Sequence, residues 1–99
     1  HITGGGLTEN LPRSISKNLC AEIKADSWDI PKVFKWLKEE GEISNEDMFR
    51  IFNCGIGIVL IVDKKDVKDI SNKISEMNFK NYVIGTVKEK TQEQSVIYS

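Results

Sequence analysis

The chain has little of what metal, disulfide or membrane chemistry requires. His1 is the only histidine, Cys20 and Cys54 are the only cysteines, and no C-x-x-C pair occurs. A structural zinc site draws about four such ligands at close spacing, so no metal site is expected. The two thiols are read as reduced and buried, the usual state in a cytoplasmic protein, where the chain is expected to reside. The longest apolar run, Ile56 to Val62, is too short to cross a bilayer, and no signal-peptide pattern opens the chain, so no membrane partner is expected. One-sided charge is also missing. Lysine and arginine number 14 against 15 aspartates and glutamates, interspersed to a net −1, which leaves no basic surface for nucleic acid. There is no Walker A sequence, no internal repeat and no low-complexity segment.

What is present suits one small domain, residues 1–99, with a single modest core: 39% hydrophobic and 29% charged residues. Leu7, Leu11 and Ile15 recur at helical spacing, and Pro12 limits that helix to a turn or two. Leu19 to Ala25 alternates apolar and polar residues and reads as a half-buried strand. A helix follows, with Ser27 or Asp29 as cap, Pro31 in its first turn, an Ile30, Val33, Phe34, Leu37 face and Gly41 at its end. Trp28 and Trp36 are read as core in preference to base-stacking platforms. Ser44 to Asp47 resembles a capping box opening a short helix with Met48, Ile51 and Phe52 on one side and Asn53 as a left-handed cap.

The nearly continuous Ile, Val and Leu of Gly55 to Val62 predicts a strand buried on both faces at the centre of a sheet. Its Gly55-x-Gly57 entry is not a dinucleotide fingerprint, because Leu60 stands where a third glycine would be. Asp63 and Asp66 open a further helix whose Val67, Ile70 and Ile74 face should pack on that sheet. Tyr82 to Val87 and Ser95 to Tyr98 read as strands joined by a hairpin loop, Lys88 to Gln94. This order of elements predicts an α+β fold, helices layered on a mixed sheet, with a ferredoxin-like strand-helix-strand-strand at the C-terminal end.

The stretch with most chemistry is His1-Ile2-Thr3-Gly4-Gly5-Gly6-Leu7-Thr8-Glu9-Asn10-Leu11-Pro12-Arg13. Three consecutive glycines sacrifice side-chain packing, and a folded domain tolerates them where the backbone needs unusual dihedrals or must approach something closely. The same triplet would suit an inert flexible linker. An imidazole, a hydroxyl, a carboxylate, an amide and a guanidinium flank it here, which is more polar chemistry than a linker requires. The expectation is a loop whose free N–H groups face an anion at the start of a helix. The candidates are the Gly4, Gly5 and Gly6 backbone and the Thr3 hydroxyl for a phosphate or developing oxyanion, Arg13 for an anionic group, and His1 for a proton or a substrate hydrogen bond. Glu9 and Asn10 are read as cap and brace.

This run resembles the glycine-rich signature of the aminoimidazole ribonucleotide synthetase family, also called phosphoribosylformylglycinamidine cyclo-ligases. Phe52-Asn53-Cys54-Gly55-Ile56-Gly57-Ile58-Val59 resembles the family's other C-terminal signature, with apolar Cys54 and Ile58 where methionine is common. Ala21-Glu22-Ile23, Ser27-Trp28 and Pro31 to Leu37 are similar to the family between the two. The resemblance implies ATP-dependent ring closure of formylglycinamidine ribonucleotide to aminoimidazole ribonucleotide in purine biosynthesis. It also implies a small-molecule ribonucleotide substrate, ATP and Mg with sites mostly elsewhere in longer proteins, and a homodimeric whole. The chain opens without an initiator Met and matches only the later part of the family's C-terminal domain, so the expectation is a partial domain, inactive alone. Two alternatives stay open: a non-catalytic ligand-binding or dimerisation module, and a related ATP-dependent enzyme such as formylglycinamidine synthetase.

Overall fold

A computed structural model describes residues 1–99, and its architecture is built on β1 (Leu19–Ile23). This strand pairs antiparallel with β2 (Gly85–Glu89) and parallel with β3 (Val96–Tyr98), giving a three-stranded mixed sheet of order β2-β1-β3. Alternation in β1 turns Ala21 and Ile23 into the core, while Cys20, on the opposite face, is also fully buried. Glu22 on that outer face meets Lys88 of β2 at 2.6 Å. The Lys88 hydrogen bond and charge hold the Glu22 carboxyl below the usual carboxylate range, and Glu22 in turn raises Lys88.

Four α-helices complete the α+β fold: α1 (Gly6–Asn10), α2 (Lys32–Glu40), α3 (Asn45–Ile51) and α4 (Val67–Glu76). Pro12 does close α1 early, and the chain continues as one 3-10 turn, Leu11–Ser14. Ser44 caps α3 as its sequence suggests, accepting from the Asp47 N–H at 3.2 Å. By contrast α2 starts at Lys32 after Pro31 with no side-chain cap, so neither Ser27 nor Asp29 serves it. Asn53 is not left-handed either. Cys54 and Gly55 take the positive φ values, 51° and 96°, while Asn53 Oδ1 accepts from the Gly55 N–H at 2.9 Å, a local side-chain turn.

The core lies between β1, β3, α1 and α3. Its centre is an aromatic row in which Phe49 stacks on Tyr98 at 4.5 Å with an interplanar angle of 11° and meets Trp28 at 5.8 Å and 59°. Trp28 Nε1 donates to the Cys54 carbonyl at 3.1 Å, which satisfies its buried polar end. Trp36, the other tryptophan, is exposed on α2, against the expectation of a core residue. At the far end of the row, the Tyr98 and Thr8 hydroxyls share a hydrogen bond of 2.7 Å that ties β3 to α1.

Three further expectations are overturned. Residues 56–62 form no strand: Ile56 is buried, but Ile58 is 72% and Leu60 59% exposed, with Ile61 and Val62 also exposed. The segment has one backbone link to a distant part of the chain, from the Ile2 N–H to the Gly57 carbonyl at 2.7 Å. A strand apolar on both faces needs neighbours at both edges, and the sheet of order β2-β1-β3 gives this segment none. Without that sheet beneath it, α4, which continues directly from a 3-10 turn (Lys64–Asp66), buries none of its residues. The hairpin is also replaced. β2 and β3 do not pair, and residues 90–95 carry the chain from one edge of β1 to the other.

Replacing Phe49 with Ala should cost about 3–5 kcal/mol, the usual range for a buried aromatic, while Trp36→Ala should stay within about 0.5 kcal/mol. Urea unfolding of both variants checks this contrast. Burial pushes the Tyr98 hydroxyl up to about 12, partly offset by its bond to Thr8. Between about pH 10 and 12 the folded state therefore holds a proton that the unfolded chain has lost, so stability is full below pH 10 and falls as pH rises through that window. Melting temperatures of the wild type should decline across it relative to Tyr98→Phe, and parallel curves would contradict the assignment.

Candidate functional site: the glycine loop

The loop is built on a tight turn. The Gly6 N–H donates back to the Thr3 carbonyl at 3.1 Å, and Gly5 has φ 96° and ψ −10°, the conformation that the second central residue of a type II turn requires. Gly6 follows at φ 58° and is buried for a different reason: a Cβ there would come to 2.2 Å from the Phe49 carbonyl oxygen and 2.4 Å from that of Phe52. Only a glycine lets the start of α1 press against the end of α3. Gly4 is exposed, with nothing within 4 Å of where a side chain would begin.

Asn10 closes the turn from inside. It is the one buried polar side chain, 7% exposed. Its Nδ2 donates to the carbonyls of Gly6 at 2.7 Å and of Thr3 and Gly4 at 3.4 Å, while its Oδ1 accepts from the Thr3 hydroxyl at 3.3 Å. The N–H groups of Gly4 and Gly5 donate to nothing in the chain. Together they present two free donors at the surface, the feature an anion would use.

The other candidates are placed more loosely. His1 is exposed and its ring makes no hydrogen bond. Arg13 is exposed at the end of the 3-10 turn, with no ion pair to hold it. Glu9 does not cap the helix. Its Oε2 lies 2.1 Å from where a Gly5 Cβ would stand, so a carboxylate lies over the loop and opposes an incoming anion until it swings aside. No three His, Cys, Asp or Glu side chains converge into a group that could hold a metal ion by themselves. Sequence reasoning missed the carbonyl seat for Gly6 and the Thr8–Tyr98 tie. Neither has a local signal, because the partners are far apart in sequence.

Comparison with known proteins bears directly on this loop. The chain is 44% identical over 90 residues to a phosphoribosylformylglycinamidine cyclo-ligase of Neisseria gonorrhoeae, covering 91% of this chain and 26% of that protein. It is 48% identical over 87 residues to one of Citrifermentans bemidjiense, covering 88% of this chain and 25% of the relative. It is also 47% identical over 87 residues to the human trifunctional purine biosynthetic protein adenosine-3, covering 88% of this chain and 9% of that protein. The chain thus spans about a quarter of the length of the cyclo-ligases it matches. No helix is long and apolar enough to cross a membrane. With residues 1–98 matched from the glycine loop to the last strand, the chain belongs to the family described as AIR synthase related protein, C-terminal domain.

Proposed function

We propose that the chain supplies part of the substrate site of an ATP-dependent cyclo-ligase of purine biosynthesis, which closes the ring of aminoimidazole ribonucleotide from formylglycinamidine ribonucleotide. The observation that carries this reading is the pair of unbonded Gly4 and Gly5 N–H groups on a braced turn, in a chain whose relatives bear the cyclo-ligase name. ATP supplies the phosphoryl group that activates the formyl amide oxygen for displacement. The residues of this chain then have positioning and electrostatic work to do more than covalent work. The two N–H groups hold an anionic oxygen of a phosphate or of the developing oxyanion. The Thr3 hydroxyl joins them by leaving Asn10, Arg13 pairs with an anionic group of the substrate, and His1 handles a proton or donates a hydrogen bond. The whole protein acts in the cytoplasm as a homodimer, as the family resemblance implies, and residues 1–99 alone do not turn over.

The geometry selects the test. A side chain at Gly5 meets a left-handed backbone, with a cost of about 1–3 kcal/mol that would confuse a loss of function with a loss of fold. Gly4 has open space and no positive φ. In the whole protein that carries this sequence, Gly4→Val should leave the melting temperature nearly unchanged and lower kcat/KM about 100-fold or more by covering the donors. Arg13→Ala should raise KM by about tenfold with a smaller effect on kcat, because a group that binds the same charge throughout the reaction adds uniform binding. Steady-state kinetics with ATP and formylglycinamidine ribonucleotide measure both, and near-normal turnover in Gly4→Val would defeat the loop assignment.

A further inference from the structure

We infer that Asn10 is a positioning residue for the reaction: its side-chain amide gathers the carbonyls of the glycine loop inward and so aims the Gly4 and Gly5 N–H groups outward at the ligand. The inference rests on the reading of that loop as the substrate site. Three carbonyl oxygens, those of Thr3, Gly4 and Gly6, face a single atom of Asn10, its Nδ2. Only the NH₂ end of the amide can donate to them, its two hydrogens serving Gly6 at 2.7 Å and the longer contacts to Thr3 and Gly4 at 3.4 Å, and the Oδ1 end is taken by the Thr3 hydroxyl. All peptides in the chain are trans. In a trans peptide the C=O and the following N–H point in opposite directions, so holding the Thr3 and Gly4 carbonyls toward Asn10 turns the Gly4 and Gly5 N–H groups away from it. Those are the two loop donors with no partner in the chain.

Asn10 is itself held where it can do this. It is the last residue of α1, whose start is seated on the Phe49 and Phe52 carbonyls through Gly6 and whose Thr8 is tied to Tyr98 of β3. The turn bond from the Gly6 N–H already holds the Thr3 carbonyl, and the Asn10 amide, anchored in the core, adds the hold on the Gly4 carbonyl that a run of glycines would otherwise leave free. An aspartate of the same shape reverses the pattern. Its carboxylate offers only acceptors to three carbonyl oxygens, which drives them apart and turns the donors out of line.

The experiment uses the whole protein with Asn10→Asp and Asn10→Ser, the latter keeping one neutral donor. Ile23→Val, in the same core cluster but on β1 and outside α1 and α3, serves as a control that loosens the core without altering the seat of the loop. At a temperature where circular dichroism shows each variant folded, KM and kcat are measured with ATP and formylglycinamidine ribonucleotide varied separately. The expected result is at least a tenfold rise in KM for one of the two substrates, or an equal fall in kcat, for Asn10→Asp. Asn10→Ser should be intermediate, and Ile23→Val should stay within twofold despite its lower melting temperature. Asn10 variants that melt early but keep both constants within twofold would overturn the inference and reduce Asn10 to a structural brace. Should Asn10→Asp not fold, the serine variant decides by the same criterion. Normal kinetics in Gly4→Val would instead remove the substrate-site reading itself, and this inference with it, so the two failures are told apart by which variant is silent.

Discussion

The close approach of Gly6 to the C-terminal end of α3 is the constraint on which the rest of the site depends. Two carbonyl oxygens, from Phe49 and Phe52, occupy the space where any other residue would carry its Cβ. An alanine at this position would combine a left-handed backbone, costing about 1–3 kcal/mol, with overpacking against backbone that cannot swing away, which costs about as much again. Because the seat is backbone against backbone, it fixes where α1 begins and hence where the preceding turn emerges. Phe49 carries the same constraint inward, since its ring stacks between Trp28 and Tyr98 while its carbonyl receives Gly6. A single helix thus shapes both the core and the floor of the candidate site.

Rigidity in the loop is delegated. Glycines at positions 4 to 6 leave the backbone free to expose donors, and that same freedom would leave those donors unaimed if nothing else restrained them. Restraint comes from Asn10 at the other end of a five-residue helix and from the hydroxyl pair of Thr8 and Tyr98. Both are short-range interactions of ordinary strength, about 1 kcal/mol each in net terms. Their value lies in direction more than in energy. The polar groups at the rim, His1, Glu9 and Arg13, are exposed and unpaired, so they can adjust to a ligand. Braced backbone donors ringed by exposed polar side chains suit a reaction that needs orientation of anionic groups.

The segment from Gly57 to Ile84 shows where pattern and topology part. The unbroken apolar character of Ile58, Leu60 and Val62 reads as the interior of a central strand, yet they stand exposed. Such a run states that its side chains avoid water on two sides. It does not state which strand will lie beside it, and the three strands of this sheet are paired with one another. The amphipathic face of α4 was equally legible, yet its partner was inferred from that strand, so one misplaced element carried two expectations with it. The supposed hairpin failed for a related reason. Two strands adjacent in sequence pair by default, but β1 takes β2 on one edge and β3 on the other.

By itself the sequence determined the class of fold, the early end of α1 at Pro12, the Ser44 cap, β1, and the place of the glycine loop, because each is written in neighbouring residues through dihedral limits, capping chemistry or period-two alternation. Its two signatures also pointed to the family that the comparisons show. Only the tertiary structure decided that Gly6 must be glycine for Phe49 and Phe52, that Asn10 turns inward, that Thr8 meets Tyr98 across the length of the chain, and that residues 58–62 lie outside the sheet. These are encounters between distant residues. Local pattern encodes what a segment can offer, and the packing of the whole chain selects which offers are taken up.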